Sequence, residues 1–124
     1  MRWKKPEIAA LTCTVLPVHG GSQFLSLRVQ GASKGYYGGR FDGKAGIYKK
    51  TGGKLLCLAE SSCGWELNEA KTVEFSVKGW HLELRIDGIK AAEADDSDLS
   101  CGMVGCGAFG NARCYFGDFS FDFT

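Results

Sequence analysis

The acidic residues that could share a strand face in this chain are Glu83 with Asp87 and Asp118 with Asp122. Two carboxylates can split a glycosidic bond when they stand about 5–5.5 Å apart for retention, or about 6.5–9.5 Å apart for inversion. Residues i and i+2 on one face of a strand, about 6.8 Å apart, would meet that need. Both pairs here are i and i+4, Asp87 falls in a turn, and no Glu-x-Asp-x-Glu run occurs. A Ser-His-Asp arrangement is no better served: His19 sits among turn residues, and His81 alternates with Glu83 on an ordinary outward face. Calcium wants several oxygens, and Glu93, Asp95, Asp96 and Asp98 cluster in one run. That run contains no glycine for a sharp turn and reads as a solvated acidic loop. The expectation is a chain that is not an enzyme and holds no cofactor.

The cysteines are Cys13, Cys57, Cys63, Cys101, Cys106 and Cys114, with no C-x-x-C spacing, which argues against a zinc knuckle. Their number is even, so a disulfide framework is the alternative to free thiols. A chain this rich in Val, Leu, Ile and Phe does not need staples. Cys13, Cys57 and Cys106 stand where small apolar residues fit a strand, so free and mostly buried thiols in a cytoplasmic protein are expected. The other compartment to weigh is secretion as part of a larger protein.

The elements that position these residues are strands. Between Thr72 and Ala94, Val73, Phe75 and Val77 alternate with polar residues, and Trp80, Leu82, Leu84 and Ile86 resume the pattern. Trp80 follows the inward face and is expected in the core. Asp87-Gly88 breaks this run with the residues that tolerate the positive φ of a type I′ hairpin turn. Upstream, strands are expected at 8–18, 23–30, 36–41, 44–50 and 54–59, with Asp42-Gly43 as a second hairpin. An irregular stretch over 60–70 carries Trp65, with at most one helical turn over 66–71. Downstream, a glycine-rich strand at 102–109 turns through Gly110-Asn111 into a last strand at 113–123. There Tyr115, Phe119, Phe121 and Phe123 are expected to share one face. About ten strands exceed what one open sheet comfortably holds, so two packed sheets are expected.

The chain has 124 residues, enough for a single domain over 1–124 with a real core. Net charge is +1, and Lys4-Lys5 and Lys49-Lys50 are isolated pairs, so no nucleic-acid stripe exists. No run reaches the length of a membrane span, and no membrane partner is expected. Residues 1–16 imitate a signal peptide, but Pro6-Glu7 interrupts the pattern and no small-x-small cleavage site follows. The chain starts within a strand and ends on Phe123-Thr124, as an excised module would.

The ordered pieces Y-Y-G-G-R-F-D-G, A-G-I-Y-K-K, K-L-L-C-L-A-E, Trp65, V-E-F-S-V-K-G-W-H-L-E-L-R-I-D-G, G-M-V-G and Y-F-G-D-F-S-F resemble laminin-G-like, concanavalin A-like jelly-roll domains over about 23–123. The resemblance implies an all-β sandwich of two antiparallel sheets. It is similar to accessory modules at the ends of bacterial glycoside hydrolases and of ADP-ribosylglycohydrolase-family proteins. That implies weak carbohydrate or sugar-nucleotide binding beside a hydrolase, and it admits calcium at a rim. The alternatives are a structural module that packs on an enzyme domain or forms a homodimer, and a minimal glycoside hydrolase. Sugars stack on aromatic rings while planar polar groups read their hydroxyls. If Phe41 points inward, Tyr36, Gly38 and Arg40 share the outer face of their strand. Tyr36, Arg40, Tyr48 and Trp65 are therefore the candidate ligand-binding set, with core or loop packing the competing role for Tyr48 and Trp65.

Overall fold

A computed structural model describes residues 8–99, 102–109 and 113–123. The signal-like stretch before Ile8, Cys101 and the Gly110-Asn111 turn lie outside these residues. The strands are β1 (Ile8–His19), β2 (Ser22–Val29), β3 (Gly35–Phe41), β4 (Lys44–Thr51), β5 (Lys54–Gly64), β6 (Lys71–Lys78), β7 (His81–Ile86), β8 (Ile89–Asp95), β9 (Met103–Phe109) and β10 (Arg113–Phe123). They form two five-stranded antiparallel sheets, in the order β10-β1-β6-β7-β8 and β5-β4-β3-β2-β9. The fold is the expected jelly-roll sandwich.

Alternation builds the core directly. From the first sheet, Leu11, Cys13, Val15, Val73, Phe75, Val77, Leu82 and Leu84 point inward, and from the second, Leu25, Leu27, Tyr36 and Ile47 meet them. Each fully buried side chain of this size contributes about 1.5–3 kcal/mol. The two hairpin signals turn as expected: Asp42 and Gly43 have φ of 52° and 83°, Asp87 and Gly88 of 53° and 84°. Gly38 and Gly39 let neighbours in close. A Cβ on Gly38 would stand 2.6 Å from the Phe75 ring, and one on Gly39 2.3 Å from the Gln23 carbonyl oxygen.

Three local expectations are corrected. β5 continues to Gly64, so the irregular stretch is shorter, and residues 66–70 form a turn around Asn68 (φ 67°) with no helical turn. Trp80 is not core: the strand breaks at Gly79 (φ 62°), and Trp80 stands in the turn, 52% exposed. In β10 the aromatics do not share a face. Phe116 pairs with the inward Val15 and Phe121 with the inward Leu11, which puts Tyr115 on the other side. The cause is a bulge opposite Cys13, where Asp118 takes a φ of 49° and resets the alternation.

Candidate functional site

The outer-face expectation for β3 is reversed. Tyr36, Gly38 and Arg40 point into the sandwich, while Tyr37 and Phe41 point out. Gly38-Gly39 gives neither face a hydrophobic signal. The choice is made by the Phe75 ring, which fills the space above Gly38, and by Phe24, against which Tyr37 and Phe41 pack on the outside.

Tyr36 is fully buried, and its hydroxyl donates to Asp96 Oδ1 at 2.6 Å and accepts from the Leu99 N–H at 3.1 Å. Lys49 adds ion pairs of 3.1 Å to Asp96 and to Asp98. Arg28 crosses to the Gly79 and Leu99 carbonyls at 2.7 and 3.1 Å. Three side chains of the second sheet thus hold the segment 96–99 that leaves the first sheet. The acidic run is thereby split: Glu93 and Asp95 belong to β8, while Asp96 and Asp98 are engaged by Lys49.

Burial opposes ionisation of Asp96, but the Tyr36 hydroxyl, the Asp98 amide and the Lys49 ammonium outweigh it and hold the carboxyl below its ordinary 3.8. A carboxyl depressed in the folded state contributes stability above its ordinary value and loses it as pH falls through the folded one. Tyr36→Phe is expected to cost about 1–3 kcal/mol at neutral pH. It should also flatten the fall in stability below about pH 4. Urea unfolding at neutral and acid pH measures both.

Arg40 is buried as well. Its guanidinium donates to the Trp65 carbonyl at 2.6 Å, the Gly20 carbonyl at 3.0 Å and Gln23 Oε1 at 3.0 Å. Trp65 is 1% exposed, and its Nε1–H donates to the Glu69 carbonyl at 2.8 Å. Arg40 and Trp65 are therefore brought together, but through the tryptophan's backbone. Tyr48 lies on the opposite face of the second sheet, its ring 4.1 Å from that of Phe41. Burial, then the Cys57 thiol and the charges of Glu60 and Asp42, push its hydroxyl up to about 12. Tyr36, Arg40 and Trp65 are buried between the sheets and Tyr48 lies on the outer face, so the four candidates form no common exposed surface.

The outward aromatics make a second small cluster of Phe24, Tyr37 and Phe41, flanked by Tyr48 and Phe109. Lys50 of β4 reaches the Phe109 ring at 5.2 Å although β3 and β2 lie between their strands, so this sheet curls around the cluster. The curl leaves Phe24, Tyr37 and Phe41 only 4–6% exposed, too little for a ligand to stack on.

An accessible hollow lies instead where the edge strands β5 and β8 face each other. It is a cleft of about 220 Å³. Ala45, Trp65, Ile86, Ile89 and Ala91 supply apolar lining, and Ser61, Lys71, Asp87 and Lys90 supply polar groups. Asp87 is held by the Thr72 N–H at 2.8 Å and lies 3.8 Å from Lys71. Trp65 alone of the candidate set takes part. The rim residues were missed because nothing along the chain pairs edge strands of different sheets. The Asp87-Gly88 hairpin was the one signal pointing at this corner.

Among the described residues Cys13, Cys57, Cys106 and Cys114 are free thiols. Cys13 is buried, but Cys57 and Cys106 are exposed: Cys57 lies on the edge strand β5 and Cys106 on the edge strand β9, so the expectation of mostly buried thiols fails there. Among the described residues no helix is long and apolar enough to cross a membrane.

No protein-family model matches the chain, and no curated protein is similar to it in sequence. Solved structures share its fold. The carbohydrate-binding module CBM66 from Bacillus subtilis aligns with a TM-score of 0.85 at 18% identity, over 96% of this chain and 77% of that one. The Caenorhabditis elegans galectin LEC-6 aligns with a TM-score of 0.60 at 22% identity, over 90% and 81% of the two chains. The alginate lyase AlyC3 aligns at 0.61 with 11% identity, over 95% of this chain and 65% of the lyase.

Proposed function

We propose that the chain is a non-catalytic accessory module, attached to or acting beside a hydrolase, that binds carbohydrate weakly in the cleft beside Trp65. The observation that carries this reading is the cleft itself: apolar lining for the C–H face of a ring, with hydroxyl, ammonium and carboxylate groups to read its polar substituents. Its 220 Å³ is below the roughly 300–1,000 Å³ of drug-sized sites, which fits one sugar ring rather than a long oligosaccharide. The likeness in fold to a carbohydrate-binding module and a galectin supports the same class of ligand. Among the described residues Asp87 is the one carboxylate lining the cleft, whereas both the retaining and the inverting routes of glycoside hydrolysis take a pair.

The test is a titration against a broad glycan panel, with ADP-ribose included, on wild type, Lys90→Ala and Asp87→Asn. Asp87→Asn is expected to weaken binding about tenfold, the loss of one charge-assisted hydrogen bond. Binding untouched by both substitutions would move the site off this edge. No binding at all would favour the second reading, a module that packs on a partner or on itself. That reading has its own observation: on the edge strand β10, Phe119 and Phe121 are 47% and 41% exposed. Sedimentation of the same sample would show self-association directly.

A further inference from the structure

Away from the cleft, the outward face of the β7–β8 hairpin gathers His81, Glu83 and Glu93, with one donor atom of each within 4.8 Å of the others. Hairpin register explains why. Ile86 pairs with Ile89 and Arg85 with Lys90, and an unbroken ladder would set Glu83 opposite Ala92 and His81 opposite Ala94. A bulge between Leu84 and Arg85 shifts the pairing by one residue. Glu83 then faces Glu93, and His81 faces Asp95. Bulges re-aim side chains in this way. The result is two like charges directly opposed across strands, an arrangement that is unfavourable when nothing lies between them.

The imidazole is oriented. Its Nδ1 is 2.8 Å from Asp95 Oδ1. A carboxylate accepts, so Nδ1 carries the proton, and the lone pair of the neutral ring is left on Nε2. Nε2 is turned to Glu93 Oε1 at 3.1 Å. Two acceptors at that distance need a cation between them, either a proton or a metal. The other oxygens of the two glutamates are held from outside: Arg85 Nε is 2.6 Å from Glu83 Oε2, and Lys90 Nζ is 3.2 Å from Glu93 Oε2. A histidine fixed through its far nitrogen by a carboxylate is the arrangement found around bound metals.

We propose that His81 Nε2, Glu83 and Glu93 form a binding site for a first-row divalent transition metal of the zinc, nickel or copper type, with Asp95 orienting His81. Donors bonded at about 2.0–2.2 Å around a tetrahedral ion stand about 3.3–3.6 Å apart. The three side chains, half-buried or exposed on fixed strands, reach that spacing by small rotations. One imidazole and two carboxylates leave a fourth position for water or a ligand oxygen. Imidazole suits these ions, whereas calcium and magnesium prefer oxygen alone.

The experiment is a titration of the untagged protein with Zn2+ by calorimetry and with Co2+ by absorption, on wild type, His81→Ala, Glu83→Gln, Glu93→Gln and Asp95→Asn. One equivalent should bind. His81→Ala should weaken it at least tenfold and remove the Co2+ d–d bands, and Asp95→Asn should weaken it about tenfold. Circular dichroism confirms that these surface variants stay folded. Absence of Zn2+ binding at millimolar concentration overturns the proposal. So does binding unchanged in His81→Ala, a thiolate-to-cobalt charge-transfer band that marks the exposed Cys57 or Cys106 as ligands, or calcium bound more tightly than zinc.

Discussion

Arg40→Ala is expected to unfold a large fraction of the molecule's stability reserve, at a cost of at least about 3 kcal/mol. Arg40 is 7% exposed, and its guanidinium satisfies the Trp65 carbonyl, the Gly20 carbonyl and Gln23 Oε1. Truncation leaves the Trp65 carbonyl and Gln23 Oε1 without this donor, while the Gly20 carbonyl keeps the Gln23 amide at 3.4 Å, and each orphaned buried group costs about 1–3 kcal/mol. Against a total of roughly 5–15 kcal/mol for a domain, that is a severe loss. Urea unfolding measures it, and a change under about 1 kcal/mol would mean that water takes over the acceptors. The consequence for binding work is direct. A ligand lost in Arg40→Ala or Tyr36→Ala would report a damaged fold, so neither substitution can locate a site.

Trp65→Ala is expected to cost about 3–5 kcal/mol, as for other buried aromatics reduced to alanine. Its indole is 1% exposed, belongs to the main core, and lines the cleft. Trp65→Phe separates the two roles. It keeps most of the apolar volume and loses the Nε1–H bond to the Glu69 carbonyl. Stability should then fall by about 0.5–1.5 kcal/mol. Thermal unfolding gives the first quantity and the glycan titration the second. A Trp65→Phe protein that unfolds as early as Trp65→Ala would place the weight on the hydrogen bond.

Strand order along the chain, the Asp-Gly hairpins and the sandwich itself were legible in the sequence, because a period of two and the residues of a type I′ turn are local properties. What failed was decided elsewhere. The inward side of β3 depends on Phe75 of the other sheet, so Gly38 and Gly39 could not reveal it. Trp80 sits in phase with Leu82 and Leu84 but one residue beyond the end of the strand. The faces of β10 turn on a bulge at Asp118, and the His81 cluster on a bulge in β8, and a single inserted position inverts every side chain beyond it. The cleft needed the knowledge that β5 and β8 are edges on the same side of the sandwich. Trp65 was expected beside Tyr36 and Arg40 on an exposed face, and it is instead a buried residue that lines the cleft.

The segment 96–99 is irregular in backbone, yet Tyr36, Lys49 and Arg28 fasten it, and the Asp96 N–H donates to the Trp80 carbonyl at 2.9 Å. Loops ordinarily absorb insertions, and lineages of a fold diversify by lengthening them. This one has no slack to give. One added residue would carry the Asp96 carboxylate or the Leu99 amide out of reach of the same tyrosine oxygen. Variation in this architecture is thereby steered toward turns such as Gly52-Gly53, where an added Cβ meets nothing within 4 Å. The described part of the crossover, residues 96–99, is thus the part of this chain least able to change length.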